Sequence, residues 1–333
     1  MRAAFYERAG AARDVLQVGE VPDPVAGPGE VLVRVAMSSV HPSDVKLRAG
    51  GRPGVDGIGY PRIIPHSDGA GTIEAVGEGV DGARIGQRVW LWNGQWQRAL
   101  GTCAELIVLP GAQAVPLPDA ASFQQGACMG IPAMTAHACL FDGEGPEGSP
   151  KGKTVLVTGG AGAVSYYAIQ MAKAAGARVL TTVSNGEKAQ YARDAGADHA
   201  IDYRRENMVQ AVMEATDGHG IDHAVDLEFG SNIDALAEVI RPNGAIVAYG
   251  SAAVREPALP FYTLMFKRVT VRTELVYLLP DAPRAQGIAY LTDALARGML
   301  HHSIAAEMPL AEVAAAHELV ESGARRGCVL VTM

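Results

Sequence analysis

Two patterns of hydrophobic and polar residues divide the chain, and the first occupies residues 1 to about 120. Residues 30–36 and 71–77 alternate apolar and polar side chains between turns that contain Gly or Pro, as expected for strands with one buried face. Residues 86–92 and 104–109 continue this pattern. Several short strands separated by turns at this spacing predict a small β-barrel or a partly open β domain.

The second pattern begins near residue 153, where short apolar runs are separated by segments with helical character. Such uninterrupted runs are typical of parallel strands that are buried on both faces. Strands are predicted at 153–158, 178–183, 198–201, 223–227, 245–249 and 269–275. Helices are predicted between them, including those at 187–195, 206–216 and 233–241. Strands that alternate with helices predict a doubly wound parallel sheet.

Three further segments complete the predicted organisation. A helix is predicted at 132–141, with Pro132 in its first turn, and a polar connector rich in Gly and Pro at 142–153. The C-terminal tail does not continue the alternation of strands and helices. It is predicted to contain two amphipathic helices and a final strand, at 283–297, 309–322 and 327–332. We expect this tail to return to the first domain and complete it.

The most informative stretch is the turn between the predicted strand 153–158 and the helix that follows it. Its residues are Gly159, Gly160, Ala161, Gly162, Ala163, Val164 and Ser165. Gly159 permits a sharp turn, and Gly162 lets the backbone approach a pyrophosphate at the helix N-terminus, where free N–H groups favour an anion. Ser165 stands where Gly or Ala is usual, and we expect it to tighten or slightly shift the helix–strand contact. In this strand–turn–helix setting the motif predicts dinucleotide binding.

Composition narrows the class of protein. A chain of 333 residues with 48% hydrophobic and 6% aromatic residues fits an α/β protein of two domains. The net charge of −8 argues against nucleic acid or an anionic membrane as a partner. No apolar run reaches membrane-spanning length, and the N-terminus is predicted to be a strand and not a signal peptide. The four scattered cysteines form no CxxC pair, which favours a cytoplasmic location.

Several short motifs in this order resemble the medium-chain dehydrogenase/reductase superfamily, and within it the zinc-free quinone oxidoreductases of the zeta-crystallin type. The matching segments are 40–50, 66–71, 130–135, 157–162, 196–203 and 315–318. The resemblance implies an α/β fold with a GroES-like β-barrel catalytic domain, a Rossmann domain with a doubly wound parallel sheet, and a cleft between them. It places the GroES-like domain at 1–122 and 268–333, and the Rossmann domain at 123–267. It also implies NADPH-dependent reduction of quinones or activated alkenes, usually by dimers.

The end of the second parallel strand favours NADPH over NADH as the cofactor. An NAD-binding strand usually ends in Asp or Glu, whose carboxylate accepts from the ribose 2′-OH and repels a 2′-phosphate. Here Ser184 and Asn185 follow the strand, and both can donate hydrogen bonds. Glu187 is expected in the first turn of the next helix. Lys188 and Tyr203 match positions that hold the 2′-phosphate in related quinone reductases; the alternatives are a solvated lysine and a capping aromatic residue.

The resemblance also bears on zinc. Zinc alcohol dehydrogenases of this superfamily hold the metal with Cys, His and a further Cys, and have a Glu beside the His. The matching positions here are His41, Ser67 and Ile131, with Asp68 in place of the Glu. One ligating side chain out of three does not make a tetrahedral zinc site. We therefore expect a zinc-independent protein with no bound metal.

The chemistry then depends on placing the cofactor and acceptor and on donors to the oxygen that gains charge. The predicted loop 41–46 carries His41 and Lys46 where the family has Asn and Tyr. Either side chain can stabilise a developing quinol or enolate oxygen, and His41 can also supply a proton. The alternatives are a structural His41 and a Lys46 exposed at the rim of the cleft. Asp44 is expected to fix the loop and not to transfer protons.

Further cofactor contacts follow from the resemblance and from the sheet. Thr135 matches a position at the nicotinamide end of the cofactor. Gly250 and Ser251 follow the fifth parallel strand, and Phe229 follows the fourth, at the carboxyl edge where ligands of such sheets bind. The alternative for these residues is ordinary helix-start or turn chemistry.

Three functions remain open at this stage. The first is an NADPH-dependent, zinc-independent quinone reductase; the second uses the same machinery on an enone, an enal or an acyl thioester double bond. The third is an NADPH-binding structural or regulatory protein with little turnover. The family analogy predicts a homodimer, formed through the edge strand 269–275.

Overall fold

The structure is a computed structural model that describes residues 1–52, 57–142 and 148–333. Part of the predicted connector, residues 143–147, lies outside the described residues. The chain divides into two compact units: Met1–Ile131 with Ile288–Met333 form unit 1, and Pro132–Gly287 form unit 2. The predicted functional domain boundaries, after residues 122 and 267, stay a prediction.

The strands and helices are as follows. In chain order, the strands are β1 (Arg2–Phe5), β2 (Gln17–Glu20), β3 (Glu30–Val40), β4 (Asp68–Val76), β5 (Arg88–Leu91), β6 (Leu106–Pro110), β7 (Ala114–Pro116), β8 (Thr154–Val157), β9 (Arg178–Val183), β10 (His199–Asp202), β11 (Ile221–Asp226), β12 (Ile240–Ala248), β13 (Thr270–Thr273), β14 (Ile304–Pro309) and β15 (Cys328–Thr332). The helices are α1 (Ala12–Val15), α2 (Pro42–Arg48), α3 (Phe123–Gly126), α4 (Met134–Phe141), α5 (Ala163–Ala174), α6 (Gly186–Asp194), α7 (Met208–Ala215), α8 (Phe229–Val239), α9 (Phe261–Phe266), α10 (Asp281–Ala296) and α11 (Val313–Glu321).

Unit 1 is built around a seven-stranded sheet with the order β14-β15-β3-β4-β5-β7, in which β6 also pairs with β3. The alternating residues Val31, Val33 and Val35 of β3 are buried in one cluster with residues of β4, β5 and β6. This burial explains the period-two pattern of the sequence, because successive side chains of a strand point to opposite faces. The C-terminal strand β15 pairs antiparallel with β3, so the tail returns to unit 1 as expected.

Unit 2 contains the predicted doubly wound sheet. Six parallel strands lie in the order β10-β9-β8-β11-β12-β13, which is the Rossmann order with β8 as the first strand. Val155, Leu156 and Val157 of β8 are fully buried, as expected for a strand with helices on both faces. The registers pair Val157 with Thr181 of β9 and with Val225 of β11. The carboxyl ends of these three strands therefore meet at one edge of the sheet.

Two local predictions were wrong. The predicted loop 41–46 is the start of helix α2, with His41 at the N-cap and Pro42 at the first helical position. Pro132 does not lie in the first turn of an α-helix, because Met129–Ala133 form a π-helical segment before α4. The reason is a tertiary contact: the backbone N–H of Ile131 donates to the Asp68 carboxylate at 2.6 Å. Among the described residues, no helix is long and apolar enough to cross a membrane.

Candidate active site

The glycine turn between β8 and α5 has the geometry that the sequence predicted. Gly159 has a φ of +63°, and a Cβ atom there would lie 1.9 Å from Leu227 Cδ2. A Cβ atom on Gly160 would lie 2.2 Å from Thr181 Oγ1. Gly162 occupies the N-cap of α5 and has no side chain with which to cap the first-turn N–H groups. These groups can therefore bind an anion, as expected for a pyrophosphate site.

The other turn residues complete this backbone cradle. Ala161 is buried within the turn, and Ala163 and Val164 are the first two residues of α5. Small or compact side chains at these positions keep the N-terminus of α5 accessible from the carboxyl edge of the sheet. The five residues predicted to bind the cofactor here therefore span the turn and the start of α5: Gly159, Ala161, Gly162, Ala163 and Val164.

Ser165 ties the helix to the strand. It is fully buried, its Oγ donates to the Thr158 carbonyl at 2.8 Å, and it lies 3.2 Å from the Tyr249 hydroxyl. Thr182 Oγ1 accepts from the Gly159 N–H at 3.0 Å. The departure from Gly or Ala at position 165 thus adds hydrogen bonds that hold α5 against the end of β8.

Asp226, at the end of β11, was not among the predicted site residues. It is fully buried; its Oδ1 accepts from Thr158 Oγ1 at 2.6 Å and from Asn232 Nδ2 at 2.7 Å. Its Oδ2 has no hydrogen-bond partner among the described residues. Burial raises the pKa of Asp226 above its ordinary value, against the hydrogen bonds that lower it. The sequence signal was an acid that ends a buried parallel strand, directly beside the glycine turn.

The residues predicted to recognise a 2′-phosphate lie at the ends of β9 and β10. The register pairs Asp202 with Val183, and the Tyr203 N–H donates to the Val183 carbonyl at 3.1 Å. Ser184 is buried after β9, Lys188 is half-buried in α6, and Tyr203 is exposed. One corner of the sheet therefore presents a lysine and a half-exposed tyrosine.

Asn185 has a structural role that the prediction did not include. Its Oδ1 accepts from the Lys188 N–H at 2.9 Å, which makes Asn185 the N-cap of α6. Its amide N–H groups remain the part of the side chain that can donate to a ligand. Glu187 lies in the first turn of α6, as expected.

The residues after β11 and β12 form one hydrogen-bonded turn. The Phe229 N–H donates to the Gly250 carbonyl at 2.8 Å, and the Gly230 N–H donates to Ser251 Oγ at 2.9 Å. Phe229 begins α8, four residues before the predicted helix start. The Ser251 hydroxyl also donates to the Val254 carbonyl, so this hydroxyl is used within the turn after β12.

Thr135, the second residue of α4, is buried within unit 2.

In unit 1, His41 lies in a buried acidic environment. Its ring Nε2 is 2.8 Å from Asp68 Oδ2, and its backbone N–H donates to Asp44 Oδ2 at 2.7 Å. This contact is an ion pair when the His41 ring is protonated. Burial is the largest single effect and lowers the pKa of His41, but the attraction and hydrogen bonding of Asp68, together with the attraction of Asp44 and Cys328, outweigh it and the pKa is raised. Lys46, on the same helix, is exposed.

The two carboxyl groups beside His41 differ in role. Asp44 caps the start of α2, which agrees with the expected structural role of this residue. Burial raises the pKa of Asp44 to about 6, against the attraction of His41 that lowers it. Asp68 is fully buried in the first position of β4 and accepts from the Ile131 N–H as well as facing His41.

Two buried histidines, His66 and His317, form a pair close to Asp68. His66 Nε2 and His317 Nε2 are 2.9 Å apart, and His66 Nδ1 is 2.8 Å from Ser38 Oγ. Thr102 Oγ1 donates to the Asp68 carbonyl at 2.6 Å, so the 2.7 Å contact between Ser38 and Thr102 has Ser38 as the donor. His66 Nδ1 must then donate to Ser38. Burial lowers the pKa of both rings, so both are neutral near pH 7, and in a neutral His66 the remaining nitrogen Nε2 accepts from His317 Nε2.

Burial is the main cause of the low pKa values of this pair. Burial, and to a smaller extent the nearby Arg48 guanidinium, lower the pKa of His317 to about 3. Burial also lowers the pKa of His66 well below its ordinary value. His317 Nδ1, the lone-pair nitrogen, has no hydrogen-bond partner among the described residues.

The residues at the zinc-ligand positions of related dehydrogenases do not fit a metal. His41 is paired with Asp68, Ser67 is buried beside it, and position 131 contributes only a backbone N–H, which donates to Asp68. The part of the chain that the structure describes contains no group of three or more His, Cys, Asp or Glu side chains placed to hold a metal ion. A tetrahedral site with an open position cannot be assembled from these residues.

Family models match both units. The model described as alcohol dehydrogenase GroES-like domain matches residues 27–119, and the model described as zinc-binding dehydrogenase matches residues 163–288. The chain is 32% identical over 316 residues to a quinone oxidoreductase of Pseudomonas aeruginosa, which covers 94% of this chain and 93% of the relative. It is 29% identical over 324 residues to a 2-haloacrylate reductase of Burkholderia sp., covering 96% and 94%.

A solved structure agrees with these relatives. A mycobacterial protein complexed with NADPH superposes with a TM-score of 0.87 at 27% identity, over 100% of both chains. A GroES-like unit and a Rossmann unit with an intact glycine turn define a two-unit nucleotide-dependent oxidoreductase. The chain belongs to the medium-chain dehydrogenase/reductase superfamily, in its zinc-free quinone oxidoreductase group.

Proposed function

We propose that the chain is an NADPH-dependent, zinc-independent reductase of quinones. The observation that carries the proposal is the glycine turn, which lies beside a strand end that has no acidic residue before the N-cap of α6. The similarity to a quinone oxidoreductase over nearly the whole chain supports the acceptor class. The similarity to a protein solved with NADPH supports the cofactor.

The residues of unit 2 fit a dinucleotide. The first-turn N–H groups of α5 would hold the pyrophosphate, since Gly162 leaves them without a side-chain cap. Lys188 and Tyr203, with Ser184 and the Asn185 amide, would bind the 2′-phosphate. Thr135, Phe229, Gly250 and Ser251 would border the remainder of the cofactor. When bound, NADPH supplies a hydride to the acceptor.

The proposal needs a proton as well as a hydride, because a quinone takes up two electrons and two protons to become a hydroquinone. His41 is the proposed proton donor, and Lys46 is proposed as a second donor to the oxygen that gains charge. The ion pair with Asp68 favours the protonated ring that this role requires. We expect His41→Gln to lower kcat by about 10²–10⁴-fold with little change in the Kd for NADPH.

The test of acceptor and cofactor is direct. NADPH and NADH oxidation are followed separately with 1,4-benzoquinone, a 1,2-naphthoquinone and a simple enone, with and without a chelator. We expect NADPH to be preferred and chelation to have no effect. A preference for NADH would overturn the 2′-phosphate assignment, and loss of activity on chelation would overturn the zinc-independent mechanism.

A variant pair tests the 2′-phosphate assignment at the level of one residue. Lys188→Ala should weaken binding of NADPH about tenfold or more and leave NADH binding nearly unchanged, because only NADPH carries the 2′-phosphate. Lys151→Ala, at an exposed lysine elsewhere in unit 2, is the control. Equal effects of Lys188→Ala on both cofactors would remove the assigned role.

A second candidate is reduction of an activated C=C bond. The similarity to a 2-haloacrylate reductase over 96% of this chain favours it. Hydride addition to an activated alkene and to a quinone demand similar placement of cofactor and acceptor. A kcat/KM higher for 2-chloroacrylate or an enone than for every quinone tested would favour this candidate over the first.

We also propose that the chain forms a homodimer through β13. This strand pairs with β12 on one side and ends the sheet order. Phe261, Tyr262 and Phe266 of the neighbouring α9 are exposed, the last by 82%. A parallel edge that is unpaired among the described residues and flanked by apolar side chains favours pairing with a second copy through a two-fold axis.

Oligomeric state tests this assembly. Analytical ultracentrifugation should report a dimer for the wild type and a monomer for Phe266→Glu. Val25→Glu changes an equally exposed apolar residue of unit 1 and serves as control. A monomeric wild type, or an unchanged dimer in Phe266→Glu, would contradict the proposed interface. A cytoplasmic location is also proposed, supported by four buried cysteines that form no disulfide among the described residues.

A further inference from the structure

A buried carboxylate faces His41 from the first residue of β4. We infer that Asp68 is a positioning residue that holds His41 as an imidazolium, so that this chain keeps a fixed proton at the place where zinc-dependent relatives keep a metal. The inference deepens the proposed reductase function and rests on it for its kinetic part. Its structural part concerns the resting protein alone.

The position of Asp68 is determined from three sides. The Ile131 N–H donates to its Oδ2 at 2.6 Å, and the same oxygen lies 2.8 Å from His41 Nε2. Gly130 makes room for the carboxylate, because a Cβ atom there would lie 2.2 Å from Asp68 Oδ1. The β3–β4 register pairs Ser39 with Asp68, and this pairing brings His41, two residues after Ser39, close to the Asp68 carboxylate. The backbone thus aims the carboxylate at the imidazole ring.

The charged and titratable groups around the ring favour the same state. Asp68 faces it from β4, Asp44 from α2 and Cys328 from β15, and each of them stabilises a positive ring. His66, on the segment before β4, is neutral near pH 7. Burial and the N-terminal amides of α2 oppose the charge. Burial lowers the pKa of His41, but the attraction of Asp68 is the larger of the favourable causes and the pKa is raised.

Asp68 also lacks any other counter-charge in the described structure. Its ion pair is formed with His41, and its Oδ1 is buried with no hydrogen-bond partner among the described residues. A buried carboxylate is costly unless it is paired, and removal of one member of such a pair leaves the other uncompensated. The charge of each group therefore depends on the charge of the other.

The consequence for the reaction is a proton donor that is reprotonated after each transfer. When His41 gives up its proton, an N–H bond of the ring breaks, its electron pair stays on nitrogen, and an O–H bond forms on the reduced acceptor. The neutral imidazole then faces an uncompensated carboxylate, which favours uptake of a proton from solvent. Asp68 does not touch the acceptor in this scheme; it acts through the charge of His41.

The first test measures the charge of His41 without any substrate. In the full chain labelled with ¹⁵N-histidine, the His41 resonances are assigned by their loss in His41→Gln. We expect the imidazolium pattern at about pH 7.5 in the wild type and the neutral pattern in Asp68→Asn, which keeps an oxygen for the Ile131 N–H. A neutral His41 in the wild type would overturn the inference, whatever the acceptor proves to be.

Two further variants separate charge from shape. Asp44→Asn is the matched control, because it changes the other buried carboxyl group beside His41 and keeps an acceptor for the α2 cap; the imidazolium should persist. Asp68→Glu keeps the negative charge and should keep the imidazolium pattern; if Asp68→Asn does not fold, a neutral His41 in Asp68→Glu overturns the inference. A loss of charge in Asp44→Asn as complete as in Asp68→Asn would refute the assignment to Asp68.

The kinetic test uses the pH profile of kcat. In Asp68→Asn the alkaline limb of the profile should move to lower pH by about 1–3 units, because the carboxylate no longer favours the protonated ring. The KM for NADPH should stay within about twofold. An unmoved alkaline limb, together with a neutral His41 in the same variant, would show that His41 is not the proton source and would overturn the proposed role in the reaction.

Discussion

The neutral histidine pair in unit 1 leads to a prediction about acid stability. His317 donates to His66, so a second proton on His66 would place two donors face to face at 2.9 Å. A second proton on His317 would lie on Nδ1, which is buried and has no hydrogen-bond partner among the described residues. His317→Gln removes the titrating ring but keeps an amide N–H at the position of Nε2, so the donor to His66 is retained. The variant should therefore resist acid better than the wild type.

The magnitude follows from the pKa of His317, which is about 3 in the folded protein and near 6.5 in an unfolded chain. A histidine with a lowered folded pKa contributes stability that is fully present above 6.5 and is lost as the pH falls. The loss amounts to about 1.4 kcal/mol per pH unit for one proton. At about pH 4.5 it reaches about 3 kcal/mol for His317 alone, which is a large part of the stability of an ordinary domain.

Urea unfolding followed by tryptophan fluorescence is a suitable assay. The chain has three tryptophans, Trp90, Trp92 and Trp96, and all lie in unit 1 with the histidine pair. Between about pH 7 and 4.5, the free energy of unfolding of His317→Gln should fall by about 3 kcal/mol less than that of the wild type. His219→Gln, at an exposed position, controls for the removal of a histidine. The same decline in all three proteins would refute the neutral-pair assignment.

Three further substitutions test the local geometry. Gly130→Ala places a Cβ atom 2.2 Å from Asp68 Oδ1. It should lower the free energy of unfolding, measured by urea denaturation, by about 1–3 kcal/mol. Unchanged stability would contradict the close approach. Ser165→Ala removes the 2.8 Å bond to the Thr158 carbonyl and should cost about 1 kcal/mol while weakening NADPH in calorimetry, whereas unaltered binding would limit the serine to stability. Gly159→Ala, at φ +63°, should abolish NADPH binding in the same titration, and normal affinity would remove the turn from the cofactor site.

Local sequence pattern predicted the elements of unit 2 well. Buried parallel strands appear as uninterrupted apolar runs, and the β9 bounds were predicted to the residue. The glycine turn could be interpreted from the sequence because the residues that contact a pyrophosphate are consecutive and lie between a strand and a helix. The position of Glu187 in the first turn of α6 likewise depends on neighbours within a few residues.

Helix α2 shows a local signal that was present and not used. Pro42 at the first helical position and Asp44 in the first turn are ordinary helix-start residues. The segment is short and its apolar residues do not form a long periodic stripe, so periodicity alone did not distinguish it from a loop. The π-helical segment before α4 is different, because the contact between Ile131 and Asp68 joins residues 63 positions apart.

By itself, then, the sequence determined the two fold patterns, the dinucleotide turn, the absence of an acid after Val183 and the candidate donor His41. Only the tertiary structure placed beside that donor the carboxylate that favours its protonated form. His41 meets Asp68 because antiparallel β3 and β4 place their ends side by side, and His66 meets His317 across 251 residues of chain. Such pairs depend on long-range register and burial, and both shift pKa values in ways that residue identity and local spacing do not reveal.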